Sequence, residues 1–314
     1  MNSDSVAADE CIALNEPQQV IKSFSVRDTN LGHLKILRAL PIRDKRMVGP
    51  WCFLDRYGPY TFSEGKPMDV APHPHIGLQT ITWLLEGEIV HNDSLGCEGL
   101  IRPGGVNVMT AGKGIAHAEE TPPTNSGVLN GVQLWVALPE AHRNMSPAFQ
   151  QVGQVPVVEL SGGIAQVFAG TLAETTSPAQ FYSDIVGAEL TLPANTRMIL
   201  PLNPAHEHAL LLIAGDAQIE GQPVEERNLY YLGTNRAELG FSSRSGARLL
   251  LIGGKPFSES ILMWWNFVAR APEEITEART NWEQGEGFGE VKAYHGQRLH
   301  APPLVQLARP NPAS

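Results

Sequence analysis

Short apolar and alternating blocks, each cut off by glycine, proline or asparagine, follow one another along nearly the whole chain. Blocks at 20–26, 34–40, 48–55, 78–85, 89–91, 100–102, 106–110 and 131–138 are rich in β-branched and aromatic residues and read as strands. Pro50 places the 48–55 block at a sheet edge or a strand start. From Arg56 to Pro72 the glycines and prolines at 58, 59, 65 and 67 read as a loop. Turn signals recur roughly every 8 to 12 residues, the spacing of a sandwich or barrel. A weaker version of the pattern returns at 164–169, 181–186, 188–192, 209–213, 217–221, 228–233 and 247–254. This internal duplication predicts two tandem β-domains with a boundary near residues 150–160.

One stretch departs from this pattern. Pro272 suits a first helical turn, Glu273 and Glu274 complement the positive dipole end, and Gly285 suits the position after the last turn, so 272–284 is predicted to be a helix. The expected organisation is a flexible or draped segment at 1–18, a first β-domain at 19–150, a second at 151–270, and a helix with a Pro-rich tail at 271–314.

Composition agrees with an all-β chain, since charged residues are 18% while 30 glycines and 24 prolines supply turns. A net charge of −10 and the lack of any basic cluster argue against direct nucleic-acid binding but leave a protein partner open. The first ten residues lack the basic and apolar regions of a secretory signal, and no apolar run approaches the roughly 18 residues of a membrane helix. Three cysteines (Cys11, Cys52, Cys97) without CxxC spacing fit reduced thiols, so a cytoplasmic protein is expected.

The candidate chemistry lies between residues 72 and 119. His73 and His75 form a His-x-His pair, and His117 and Glu119 a His-x-Glu pair. Residues i and i+2 of a strand share a face, so each pair offers two donor atoms side by side. If hairpins bring the two segments together, three imidazoles and a carboxylate converge, a set suited to a divalent first-row metal. A Pro-flanked turn with solvated histidines is the bland alternative. Three of the ten histidines in two tripeptides of matching period favour the metal site.

These residues also carry a resemblance. Pro72-His73-Pro74-His75, Glu86-Gly87-Glu88, Asp93-Ser94-Leu95-Gly96, Arg102-Pro103-Gly104 and the run from Met109 to Glu119 stand in the order seen in the pirin family. The 48–55 block and Gly131-Val-Gln-Leu-Trp135 are also similar to pirin, and the resemblance covers residues 20 to about 290. It implies a bicupin of the cupin superfamily, two β-sandwich barrels facing one another, with one metal in the first. The positions matching its ligands are His73, His75, His117 and Glu119. The implied ion is Fe(II) first, with Mn, Co, Ni, Cu or Zn as alternatives.

Several pirins act as quercetin 2,3-dioxygenases, and others are described as redox-sensitive co-regulators of transcription. The resemblance therefore implies O2-dependent cleavage of a flavonol such as quercetin, with Glu119 as the catalytic base. The alternative is a metal- or redox-sensing binding protein acting on a protein partner. A storage or structural cupin with an incidental metal is disfavoured by the intact donor set. Two positions depart from the wider cupin pattern: Gln79 stands where a glutamate is common, and Gly112 where a proline is.

In the second half, His206-Glu207-His208 looks like the first half of such a site, yet no partner histidine follows between Tyr230 and Gly254. A surface or interface pair in a metal-free domain is the expectation. His91, two residues before Asp93, either orients a ligand or is solvated, and the solvated reading is preferred. Cys52 and Cys97 are expected to be inert. Trp51, Phe53 and Trp83 are expected in the core rather than in a substrate pocket.

Overall fold

The computed structural model describes residues 20–304 apart from 32–33 and 64–67. The polar segment expected to be flexible at 1–18 and the end of the tail, 305–314, lie outside the described residues.

Strand Leu78–Gly87 shows how the chain builds its core. Both of its faces are buried from Leu78 to Leu85, so even its polar residues Gln79, Thr80 and Thr82 are enclosed. On one face Ile81, Trp83 and Leu85 join a cluster shared with the second half of the chain. On the other, Leu84 packs inside the first domain with Ile36, Tyr57 and Leu129. The strand runs through a seven-stranded sheet in the order Ala148–Val152, Val106–Thr110, Leu78–Gly87, Val128–Ala137, Trp51–Thr61, Leu34–Leu40, Arg27–Leu31. A four-stranded sheet, Asp69–His75, Ile115–Glu120, Ile89–Asp93 and Glu98–Ile101, completes the first sandwich.

The second half repeats this plan. Its large sheet has strands Asn228–Gly233, Glu207–Gly215, Ala247–Gly254, Ile185–Leu192, Gly163–Leu172 and Val157–Leu160, with Thr175–Thr176 on one side. Its small sheet comprises Thr196–Pro201, Glu238–Ser243, Ala217–Ile219 and Gln222–Val224. The two large sheets meet through one core that includes Trp51, Trp83 and Val108 from the first domain and Phe168, Leu211 and Ile252 from the second. Trp51 and Trp83 are thus core residues, as expected. Each also closes a hydrogen bond across the seam, Trp51 Nε1 to Gly253 O at 2.8 Å and Trp83 Nε1 to Glu189 Oε2 at 2.8 Å.

The ends of the chain are exchanged between the domains. Lys22–Ser25, at the start of the first predicted domain, pairs with Asn228–Gly233 at the edge of the second domain's large sheet. Helix Pro272–Gln284 forms where predicted, with Pro272 in its first turn and Gly285 closing it at φ 78°. It turns Ile275, Ala278 and Trp282 toward Ala116, Ala118 and Phe267, so the C-terminal segment folds back on the first domain. The expected tail also packs as far as it is described: Leu299 N–H donates to Pro72 O at 2.8 Å, and Ala301 is buried.

Two prolines of the predicted loop behave differently from a loop. The strand after Pro50 starts at Trp51 but continues to Thr61 in the sheet interior, through Gly58 and Pro59. The ladder skips these two residues at a bulge, so Pro59 removes no needed donor. Gly58 sits there at φ 82°, and a Cβ would lie 2.2 Å from Leu129 O. Pro72 and Pro74 fall in Asp69–His75, an edge strand, where missing donors are tolerated. No described helix is long and apolar enough to cross a membrane.

Candidate metal centre

Strands Asp69–His75 and Ile115–Glu120 are antiparallel neighbours, with His117 opposite His73 and Ile115 opposite His75. The period of two puts His73, His75, His117 and Glu119 on the inner face, while Ala116 and Ala118 face the helix. A register shift after His117 sets Glu119 opposite Val70. All four residues are buried.

The ring nitrogens are fixed from behind. His73 Nδ1 lies 2.9 Å from Ala71 O and His75 Nδ1 3.0 Å from Asn266 O. A carbonyl can only accept, so both Nδ1 atoms carry the proton and both Nε2 atoms are left bare. His75 Nε2 stands 3.1 Å from His117 Nε2. Two nitrogens, each about 2.1 Å from one cation and at right angles around it, are about 3.0 Å apart, so the spacing fits a shared divalent ion.

The donor atoms of His73, His75 and His117 all lie within 4.8 Å of one another. Glu119 falls outside that trio and groups instead with His117 and His91. Its Oε1 accepts from Thr82 Oγ1 at 3.0 Å.

Burial sets the electrostatics. It holds the His73 imidazole down at about 4 and those of His75 and His117 well below 6.5, with the neighbouring histidines adding to the last two. Neutral imidazole is the ligating form. Burial pushes the Glu119 carboxyl up, against the opposing influence of His91 and the Thr82 hydrogen bond.

His91 is not solvated. It is buried, stacks on Phe149 with centroids 4.3 Å apart, and places Nε2 3.2 Å from Asp93 Oδ2. Its Nδ1 lies 3.3 Å from His117 Nδ1. The signal in the sequence was the His-x-Asp spacing at the end of a strand, which places both side chains on the face that carries the donors.

The donors open onto a cavity of about 390 Å³, within the usual range for a small-molecule site. Phe53 and Trp135 form one wall, stacked with centroids 3.9 Å apart. Phe53 therefore serves the pocket and not the core alone, because it sits on the inner face of its strand. Arg38 lies over Phe53 and binds Asp55 through two hydrogen bonds of 2.7 and 2.6 Å. Trp265, Asn266 and Leu299, from the returning C-terminal segment, finish the lining. None of Arg38, Asp55, Trp135 or this segment was assigned to a pocket from sequence, since only the fold brings them there.

The other singled-out residues lie elsewhere. Gln79 faces the domain seam and donates to Thr110 Oγ1 and Gln180 O. Gly112 has φ 53°, which a proline ring cannot adopt, and this accounts for its departure from the wider pattern. His206 and His208 are buried, not on the surface, with rings 5.9 Å apart and Asp184 Oδ2 3.1 Å from His206 Nε2. Burial pushes the Cys52 thiol up to about 12, and it raises Cys97 with help from Asp93, so neither is an activated nucleophile.

Comparison with known proteins agrees with this geometry. The Pirin family model matches residues 33–136, and that of the Pirin C-terminal cupin domain matches residues 187–289. A Pseudomonas aeruginosa protein provisionally named quercetin 2,3-dioxygenase is 43% identical over 274 residues, 87% of each chain. A pirin-like protein of Caulobacter vibrioides is 35% identical, covering 83% of this chain and 92% of its own. The crystal structure of a quercetin 2,3-dioxygenase from Acinetobacter baumannii superposes with a TM-score of 0.90 at 45% identity, covering 93% of this chain and 98% of its own. With both cupin models matched in order, and relatives aligned over most of their length, the chain belongs to the pirin family.

Proposed function

We propose that this chain is a metal-dependent dioxygenase that opens the ring of a flavonol-like substrate with O2. The observation that carries the proposal is the convergence of three histidines and a raised carboxyl on a cavity with an aromatic wall. The similarity to the A. baumannii quercetin 2,3-dioxygenase supports the substrate class.

His73, His75 and His117 would hold the ion, with Glu119 joining them from the side. Bound there, Fe(II) or another divalent metal would supply Lewis acidity toward a substrate oxygen and electron exchange with O2. Glu119 is the base. Burial raises its carboxyl toward the range where it both accepts and returns a proton, and Thr82 holds one oxygen while the other faces a substrate hydroxyl. The stacked Phe53 and Trp135 make one wall of the cavity apolar and rigid, which suits an aromatic substrate. The Arg38–Asp55 pair adds a fixed polar group beside this wall, with Arg38 lying over Phe53.

The test is oxygen uptake by Fe(II)-loaded protein with quercetin, beside a His73→Ala control. Uptake that needs both quercetin and His73 is expected. No uptake above the control, with metal confirmed in the wild type, overturns the proposal and favours a redox-sensing protein that acts on a partner.

A further inference from the structure

We propose that Asp93 and His91 act as positioning residues which hold His117 in its ligating tautomer. The inference rests on the three-histidine centre proposed above and extends it to a turn that contributes no ligand.

The argument starts at the turn. Asp93 Oδ1 accepts the backbone N–H of Leu95 at 2.9 Å and of Cys97 at 3.0 Å. Oδ2 is left for His91 Nε2 at 3.2 Å. A carboxylate only accepts, so His91 carries its proton on Nε2 and shows a bare Nδ1 to its other neighbour. That neighbour is His117 Nδ1, at 3.3 Å. His117 thus lies between two acceptors, His91 Nδ1 on one side and the bare His75 Nε2 on the other. With one proton to place, it can donate to either.

Only one choice leaves His117 Nε2 free for an ion, namely donation from Nδ1 to His91. The bare nitrogen that Asp93 imposes on His91 makes that choice favourable. Hydrogen bonds of this kind behind a ligating histidine commonly change metal affinity 10- to 100-fold.

The fold holds the device in place. His91 lies opposite Glu119 and Asp93 opposite His117 on the neighbouring strand, and the His91 ring is clamped flat on Phe149, 6° from parallel. Ser94 ties the turn to Ala116 through Ala116 N–H to Ser94 Oγ at 3.2 Å and Ser94 N–H to Ala116 O at 2.9 Å.

Asp93→Asn is the discriminating variant. Its amide oxygen stays claimed by the Leu95 and Cys97 N–H groups, which preserves the turn. The NH2 is then turned to His91 Nε2, and the His91 proton must move to Nδ1, where it confronts His117. His91→Phe keeps the stack on Phe149 and removes the acceptor, so it reads the same link if the Asn variant folds poorly.

The experiment is nitrogen-15 NMR of the histidine rings in Zn(II)-loaded protein, combined with Zn(II) titration of the wild type and both variants. The expected result is His91 protonated on Nε2 and His117 on Nδ1, with Zn(II) affinity falling about 10- to 100-fold in each variant. His91 protonated on Nδ1 in the wild type overturns the proposal, as do variants with unchanged affinity. Wild-type protein that binds no Zn(II) sinks the three-histidine centre itself, which separates that failure from failure of the relay alone.

Discussion

His75 Nε2 lies 3.1 Å from His117 Nε2, on strands that pair directly although the two residues are 42 positions apart in sequence. Such close nitrogens are compatible with neutral rings, and burial keeps them so, with the His73 imidazole at about 4 and those of His75 and His117 well below 6.5. In the unfolded chain all three titrate near 6.5. Between pH 6.5 and about 4, the unfolded chain therefore binds protons that the metal-free folded protein does not, and stability falls as pH falls. Each such histidine contributes up to about 1.4 kcal/mol per pH unit in that window. Glu119 and Asp55, raised by burial, work in the opposite direction, because the folded protein protonates them before the unfolded chain does. With His208 also held at about 4, four histidines outweigh two carboxyls. Denaturant titration of metal-free protein should show a loss of at least about 1.4 kcal/mol from pH 7 to pH 5. The loss should shrink in His73→Ala; equal stability at both pH values contradicts the argument.

Glu119 groups with His117 and His91 beside the histidine trio, and Thr82 holds one of its oxygens at 3.0 Å. Glu119→Gln keeps the shape and an oxygen for Thr82 but cannot accept a proton from substrate. Metal content should be largely retained, while kcat for quercetin-dependent O2 uptake should fall about 10²- to 10⁴-fold. Metal analysis and oxygen-electrode kinetics on one preparation decide this. Unchanged turnover removes Glu119 from the role of base.

The stacked Phe53 and Trp135 make a separate prediction, for binding instead of chemistry. Phe53→Leu keeps apolar volume and removes the ring that holds Trp135 flat in the wall. Aromatic stacking is worth about 0.5–1.5 kcal/mol, so KM for a flavonol should rise about 2- to 12-fold with kcat unchanged. A matching fall in kcat would mean that the ring orients the reacting atoms as well.

What the sequence revealed, and what it hid, follows from the range of each interaction. That His73, His75, His117 and Glu119 share one face was legible because a strand's period of two is local, and each pair sits within one tripeptide. The helix at 272–284 was legible for the same reason, its proline, first-turn acids and closing glycine all lying within it. His91 was misjudged because its burial depends on Phe149, from a strand that arrives 58 positions later (149 minus 91). The pocket wall was hidden too, since Trp265, Asn266 and Leu299 reach it only after the chain has built a second domain and returned. The Gly58-Pro59 pair looked like a loop because turn residues and bulge residues are the same residues, and only the neighbouring ladder tells them apart.

That return also couples the domains energetically. Trp83 Nε1 donates to Glu189 Oε2 at 2.8 Å, and Arg248 Nε donates to Oε1 of the same carboxylate at 2.6 Å, so one buried acid satisfies both halves of the seam. Neither domain can unfold alone without exposing the shared cluster of Trp51, Trp83 and Phe168. Strand Lys22–Ser25 and the C-terminal helix add to this, each belonging by position to one domain and by packing to the other. Equilibrium unfolding of the wild type should therefore be a single transition, with tryptophan fluorescence and far-UV circular dichroism coinciding. Trp83→Phe retains an aromatic ring against Phe168, now 5.1 Å between centroids, and removes the donor to Glu189 together with part of the buried indole. The expected loss is at least about 1–3 kcal/mol, the cost of an unsatisfied buried partner, with the lost indole volume adding to it, still in one transition. Two separated transitions in the wild type would show instead that the seam is a contact between independent domains and that the shared core adds little.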